Sequence, residues 1–250
     1  MAEPLPTLLD LRRLLTPGPP QAAHRLALGV PGIDAVLAGG LALGAVHELQ
    51  PARPLDQGAV TGFAAAIATH LTRDGRKILW IQHDYAALEA GTLYAIESFG
   101  LPLALVVQVP RVIDVLWALE EALKCRAVAA VVAEIADDDA VDLTATRRLA
   151  LAARDGGGLG LLLRHRPCAT ASASATRWEV ASAAGVRDGF GGLGRTTFAL
   201  SLIKNRCGPC GCWTLSWDHH ERAFLAPALS LGVAQAARDR SARALPGRAA

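Results

Sequence analysis

Apolar residues along the chain follow two alternating patterns, one typical of strands and one typical of helices. Short continuous apolar runs alternate with stretches in which apolar residues recur three and four positions apart, which is helical spacing. The predicted strands are Gly44–Leu49, Lys77–Gln82, Leu103–Val109, Ala127–Ile135 and Leu159–Leu163; the predicted helices carry the stripes Val60, Phe63, Ala64, Ile67, Leu71 and Val112, Val115, Leu116, Leu119, Leu123, and a weaker helical pattern covers Asp142–Arg154. This alternation predicts an α/β fold with a mostly parallel, twisted sheet flanked by helices.

The last third of the chain changes to strand-like segments joined by glycine-rich turns. Three strands are predicted there, at Trp178–Ala183, Phe198–Lys204 and Trp213–Trp217. We expect these C-terminal strands to extend the sheet in antiparallel fashion. Further upstream, the glycines at Gly156–Gly158 predict the end of the helix that precedes Leu159.

The two ends of the chain differ in composition from the region between them. Leucines at helical spacing between Leu5 and Leu15 precede the breaker Pro17–Pro20, which predicts an amphipathic arm. The arm either folds back on the core or docks on another protein, and the sequence favours neither. A C-terminal stretch with arginines among Ala, Pro and Gly predicts a mobile tail. We therefore expect an arm and linker at residues 1–25, one core domain at 26–226 and the tail at 227–250.

Composition and charge narrow the classes of protein that this chain can be. The 25 Lys and Arg residues nearly balance the 23 Asp and Glu residues, so charge alone requires neither nucleic acid nor an anionic membrane as partner. No apolar run approaches the roughly 18 residues that cross a bilayer, and no secretory signal is visible. We therefore expect a cytoplasmic protein without membrane contact. Without an export signal, its 5 cysteines favour free thiols over a disulfide framework.

Several segments resemble the core of RecA-like proteins in their order and spacing. Leu26–Leu49 reads LALGVPGIDAVLAGGLALGAVHEL and resembles the polar turn, glycine pair and strand that lead into the phosphate loop of that core. Trp80–Asp84 lies where RecA-like proteins carry a strand that ends near a catalytic carboxylate, and Val131–Glu134 occupies the Walker B strand. Leu202–Arg206 resembles the strand with a Lys-Asn-Lys turn. The resemblance covers about residues 26–226 and implies a RecA-like sheet.

Within this superfamily the chain resembles the ImuA-type proteins. The segments that carry this likeness are Gly39–Glu48, the helix start Gly58–Phe63 and the turn Lys204–Arg206 with its following tryptophan. The resemblance implies an accessory factor of the DNA-damage (SOS) response that helps an error-prone polymerase assembly in translesion synthesis. The partners that it implies are a Y-family-like protein and a DnaE-type polymerase, with RecA as a further candidate, and direct contact with DNA stays open.

A working phosphate loop is missing from the expected position. Such a loop needs glycines, a Lys for the β- and γ-phosphates and a Ser or Thr for magnesium, in the spacing GxxxxGK[ST]. After Gly58, the Lys and Ser/Thr positions hold Ala59 and Val60, and Pro51 and Pro54 each remove an amide donor from the loop. A free helix N-terminus still attracts anions, so weak phosphate binding stays open. We expect no cofactor, no bound metal and no ATPase activity.

The acidic residues at RecA-like positions are interpreted as relics. Asp84 and Glu134 correspond to an acid pair of an NTPase, but without a bound triphosphate and metal they have nothing to activate. The run Asp137–Asp139 is predicted to be a solvated loop, since cation sites generally use spaced oxygen ligands.

Basic and polar residues near strand ends form a candidate surface for a partner or for DNA: Arg164, Arg166, Lys204, Asn205 and Arg206. In RecA-like filaments the Lys-Asn-Lys turn reaches the nucleotide of the neighbouring protomer, and Lys204 and Asn205 match it while Arg206 replaces the last lysine. Ordinary surface charge explains the same residues equally well, so both interpretations stay open.

The cysteines Cys207, Cys210 and Cys212 offer a redox motif and part of a zinc site. A CxxC pair is reactive where a strand meets a helix N-terminus, but here the motif lies in a turn between two predicted strands. Zinc needs a fourth ligand, His219 or His220, and a second well-spaced cysteine pair is absent from the sequence. We favour a plain Gly-Pro turn and leave a redox or metal role open.

Three other functions compete with the accessory role. An active DNA-dependent ATPase would hydrolyse ATP with magnesium, and the missing lysine speaks against it. A thiol oxidoreductase would lose activity on Cys207→Ser, and the strand-turn-strand context speaks against it. A SulA-like division inhibitor would bind the division GTPase, but the full series of strands and the long C-terminal segment fit the ImuA type better.

Overall fold

A computed structural model describes residues 24–71, 76–91, 104–135, 140–185, 192 and 194–226 of the chain. The predicted N-terminal arm, the C-terminal tail and the acidic run Asp137–Asp139 lie outside the described residues. None of the helices within the described ranges is long and apolar enough to span a bilayer.

The described residues form nine strands of one sheet and a separate two-stranded ladder. The ladder pairs β1 (Arg25–Leu26) with β2 (Leu41–Ala42). The sheet strands are β3 (Ala45–Pro51), β4 (Lys77–His83), β5 (Ala104–Val109), β6 (Val128–Ile135), β7 (Leu159–Arg164), β8 (Thr176–Ser182), β9 (Thr196–Asn205), β10 (Gly211–Asp218) and β11 (Ala223–Leu225), in the order β11-β10-β9-β8-β3-β7-β6-β4-β5. Five helices accompany them: α1 (Pro31–Val36), α2 (Gln57–Thr69), α3 (Asp84–Ala90), α4 (Val112–Lys124) and α5 (Leu143–Gly156).

The direction of β8 corrects the prediction that all C-terminal strands are antiparallel. β8 pairs parallel with β3, and only β9, β10 and β11 continue the sheet in antiparallel fashion. The reason is the connection 165–175, which joins β7 to β8 across β3 and returns the chain to the edge where β3 begins. It makes this parallel crossover without a helix, although such crossovers usually contain one. β11 was not predicted, because three residues give too short a pattern.

Two apolar layers cover the sheet. On one side, α2 packs on the middle and antiparallel strands, and Phe63 contacts Trp178, Phe198 and Phe224 with ring centroids 6.2, 5.7 and 5.5 Å apart. On the other side, α4 and α5 bury Leu119 and other apolar side chains against β6 and its neighbours. The helical stripes predicted from spacing therefore lie in the core, as amphipathic periodicity requires.

Local sequence signals explain where several elements begin. Asp34 accepts hydrogen bonds from the backbone nitrogens of Leu28, Gly29 and Val30 at 2.8, 3.0 and 3.1 Å, and so fixes the turn before α1. Asp142 caps α5 by accepting from the Ala145 nitrogen at 2.6 Å.

A buried histidine near the start of β3 links this strand to neighbouring segments by hydrogen bonds. His47 contacts Thr176 Oγ1 through Nδ1 at 2.7 Å and the Ala42 carbonyl through Nε2 at 3.0 Å. Burial lowers the pKa of His47 to about 4, so the ring is neutral near pH 7. This residue therefore has a structural role as a neutral link between strands.

Candidate functional site

The segment between β3 and α2 lies at the carboxyl end of β3, where a phosphate loop was expected. Hydrogen bonds to the Asp56 carboxylate fix its conformation. The buried carboxylate of Asp56 accepts from Arg53 Nε at 2.9 Å and Nη2 at 3.1 Å. It also accepts from the backbone nitrogen and Oγ of Ser182 at 3.1 and 2.9 Å, and Ala52 N donates to the Val180 carbonyl at 3.0 Å. These bonds tie the segment to the end of β8.

The Asp56 carboxylate carries a negative charge directly before α2. The hydrogen bonds from Arg53 hold the pKa of Asp56 well below its usual range, so it is ionised at neutral pH. Asp56 directly precedes α2, whose N-terminus attracts anions. The start of α2 therefore has an ionised carboxylate, paired with Arg53, directly before it.

The three residues after Asp56 and Gln57 provide no group that could hold a phosphate through its side chain. Gly58 is exposed, Ala59 is partly buried and Val60 is fully buried in the core beneath α2. Because Val60 faces the core, the position expected to hold a magnesium-binding hydroxyl contributes apolar packing instead.

Glu134, at the Walker B position, is held by side chains of the neighbouring strand. It is buried near the end of β6, where its Oε1 accepts from Trp80 Nε1 at 2.7 Å and its Oε2 accepts from Gln82 Nε2 at 3.2 Å. Burial raises the pKa of Glu134. Both of its oxygens thus accept hydrogen bonds from side chains of β4.

Asp84, the second acidic position, lies apart from this arrangement. It is the exposed first residue of α3, and no hydrogen bond or ion pair links it to Glu134.

Glu134→Gln should stabilise the fold, and the gain should grow as pH rises from 4 to 8. A carboxyl whose pKa is raised on folding supports the native state below its unfolded pKa and loses that support as pH rises through the folded pKa. Glutamine can still accept from Trp80, and Gln82 can turn its amide so that Oε1, which makes no hydrogen bond, accepts from the new NH₂ group.

Urea denaturation at pH 5 and pH 8 measures this gain. Glu134→Ala is the control, since it removes the same charge but leaves the buried Trp80 N–H without an acceptor and should destabilise the protein at both pH values. A Gln variant whose advantage shrinks with rising pH would contradict the assignment.

A second group of buried charges, which the sequence did not reveal, surrounds Glu48 on β3. Glu48 and Arg164 are both fully buried, and Arg164 Nη2 lies 3.6 Å from Glu48 Oε1. Arg177 Nε, on the adjacent strand β8, donates to Glu48 Oε2 at 2.5 Å, and Ser172 Oγ donates to Oε1. Arg164 therefore cannot contribute to a surface patch, and the prediction that it lies on one is wrong because its charge is paired inside the protein.

The cations of this group hold the helix-free crossover 165–175 against the sheet. Arg177 donates to the carbonyls of Cys168 and Thr170 at 3.0 and 2.8 Å, which satisfies backbone acceptors that a helix would otherwise pair internally. Lys204 Nζ donates to the Ser172 carbonyl at 2.6 Å. The polar groups here thus fix an irregular segment over β3.

The side chains of the predicted Lys-Asn-Arg turn form hydrogen bonds with other parts of the same chain. Lys204 is bound to the crossover as described, and burial lowers its pKa. Asn205 Nδ2 donates to the carbonyls of Val36 and Pro209 at 3.1 and 2.9 Å, while Arg206 reaches the Ala173 carbonyl at 3.3 Å. Of the five candidate surface residues, Arg166 and Arg206 are exposed.

The segment with Cys207 and Cys210 is a turn between β9 and β10, as predicted from the strand pattern, and Cys212 lies on β10. Cys207, Cys210 and Cys212 are exposed free thiols. Asn205 Oδ1 accepts from the Cys207 nitrogen at 3.1 Å and thereby shapes the turn. Within the described ranges, no cluster of His, Cys, Asp and Glu side chains has a geometry suited to a metal ion.

Comparison with known proteins identifies relatives of this chain. It is 36% identical over 210 residues to Protein ImuA of Caulobacter vibrioides, in strain NA1000 / CB15N and in strain ATCC 19089 / CIP 103742 / CB 15, and the match covers 76% of this chain and 82% of the relative. No family model matches the chain.

The fold also resembles a solved structure. A crystal structure of the RadB recombinase matches with a TM-score of 0.52 and 12% identity, and the match covers 80% of this chain and 98% of that chain. At this identity the likeness shows the fold alone, and it confirms the predicted RecA-like sheet, in which β9, β10 and β11 are the antiparallel C-terminal strands. Taken with the extent of the match to the Caulobacter proteins, this shows that the chain belongs to the ImuA family.

Proposed function

We propose that this protein is a non-catalytic accessory factor of damage-induced, error-prone translesion synthesis that acts through protein contacts. The proposal rests on the hydrogen bonds of Asp56 and Glu134 at the carboxyl edge of the sheet. RecA-like proteins bind nucleotide at this edge. Asp56 closes the segment before α2, and Glu134 is bound by Trp80 and Gln82. These hydrogen bonds within the chain engage the polar side chains at this edge, which supports a role that does not depend on a bound nucleotide.

The mutasome role rests on membership of the ImuA family together with the resemblance described above. A Y-family-like protein and a DnaE-type polymerase are the proposed partners, and RecA is a further one. We propose a cytoplasmic location on the same ground. With Lys204 bound to the crossover, the exposed Arg166 and Arg206 are the remaining candidates from the predicted surface for contact with a partner or DNA.

A complementation experiment tests both parts of the proposal. A strain that lacks the gene should show a reduced frequency of ultraviolet-induced mutation, and the wild-type chain should restore it. Chains carrying Glu134→Gln should restore it equally well, because a protein without catalysis does not need that carboxylate. An ATPase that uses Glu134 at the Walker B position would fail with this variant although the protein is folded.

Two further outcomes would overturn the proposal. Calorimetry that detects micromolar, magnesium-dependent affinity for ATP would remove its non-catalytic part. Normal induced mutagenesis in the deletion strain, together with loss of damage-induced filamentation, would favour a division inhibitor of the SulA type instead.

A further inference from the structure

Strand β5 leaves an open edge on the sheet formed by the described residues. Its six residues pair in regular parallel register with β4, from Ile78↔Ala104 to His83↔Val109, and no described strand lies on its other side. Among the described residues, the outer edge of β5 therefore presents backbone N–H and C=O groups that can pair with another strand. At the opposite end of the sheet, β11 has only three residues.

Within the described strand β5, the open edge carries no charged side chain, no proline and no bulge. Edge strands are commonly protected by charged side chains, proline or a bulge, and β5 reads ALVVQV with a regular register. Leu105 and Val107 are 54% and 38% exposed on it. Of the ten exposed large apolar residues in the described chain, four lie between Leu105 and Trp117, so exposed apolar surface is concentrated on β5 and α4.

We propose that β5 pairs with β5 of a second copy of this chain, antiparallel and around a twofold axis. An uncharged strand brings no like charges opposite each other when it pairs with itself. Self-pairing matches six residues with six, whereas pairing with β11 of another copy would match only three. A twofold contact also occupies the open β5 edge of both copies, so assembly stops at the dimer.

The mass of the full-length protein in solution, measured by light scattering across a concentration series, tests this proposal. The wild type should form a dimer, and Leu105→Lys together with Val107→Lys should shift it to monomer by raising the dissociation constant at least about tenfold. Leu151→Lys is the matched control, because Leu151 is 51% exposed on α5 and should leave the dimer intact. Circular dichroism checks that each variant remains folded.

Each outcome either supports or contradicts the proposed β5–β5 dimer. A wild type that stays monomeric at every concentration overturns the proposal, and so does a dimer that persists in the β5 variant. A dimer lost equally in the Leu151 variant would place the contact elsewhere. Because ATP binding and mutagenesis are not measured here, failure of this proposal leaves the proposed accessory function untouched.

Discussion

Replacing Glu48 with leucine should lower the free energy of unfolding by about 3–5 kcal/mol, the usual cost of removing one partner from a buried ion pair. Glu48 is fully buried and is the acidic partner of both Arg164 and Arg177. Leucine is similar in size to glutamate, so the loss comes from the uncompensated guanidinium charges and from the Ser172 hydroxyl, whose acceptor is removed.

Urea unfolding followed by tryptophan fluorescence measures this change, since Trp178 is buried on β8 beside Arg177. Glu179→Leu is the control. Glu179 lies partly exposed on the same strand and accepts a hydrogen bond from Gln50 at 3.1 Å, so its replacement should cost no more than about 1.5 kcal/mol. Equal, small losses for the two variants would show that the charges around Glu48 do not stabilise the crossover.

The sequence predicted the sheet strands β3 to β10 and the helices α2, α4 and α5, because each leaves a local pattern, but it could not predict which charges pair. Glu48 and Arg177 are 129 positions apart and meet only because β8 lies next to β3. Arg164 follows an apolar strand, and a charged residue there is interpreted as exposed unless its partner is known. The burial of Arg164 depends on strand order, which periodicity does not encode.

In the candidate site, too, the sequence predicted features that depend on neighbouring residues and missed contacts between residues far apart in the chain. The absence of Lys and Ser/Thr after Gly58 was visible in the sequence, and the structure places Val60 in the core. That Asp56 takes hydrogen bonds from Ser182 depends on contact between residues 126 positions apart, so it was not foreseen. One signal was available in the sequence, namely an acidic residue directly before a predicted helix, which is typical of a helix N-terminus.

Gly156→Ala should lower the free energy of unfolding by about 3 kcal/mol, which is more than the loss expected for Gly157→Ala. The three glycines after Arg154 predicted the end of a helix, and Gly157 performs that role at a backbone φ of 78°. Gly156 is different because it lies where α5 meets the end of α4. A Cβ there would overlap the carbonyl oxygen of Leu123 and approach the carbonyl carbon of Lys124 to 3.0 Å.

The control for this prediction is Gly157→Ala, where a Cβ would meet nothing within 4 Å. Only the cost of a left-handed backbone applies at that position, about 1 kcal/mol for an alanine. Because backbone atoms cannot move aside as a flexible side chain does, alanine at 156 must push α5 away from α4, which also disturbs the ion pair between Arg148 and Glu120 at 2.7 Å. Thermal unfolding of both variants measures the difference, and a smaller loss at 156 than at 157 would contradict this close approach of the two helices.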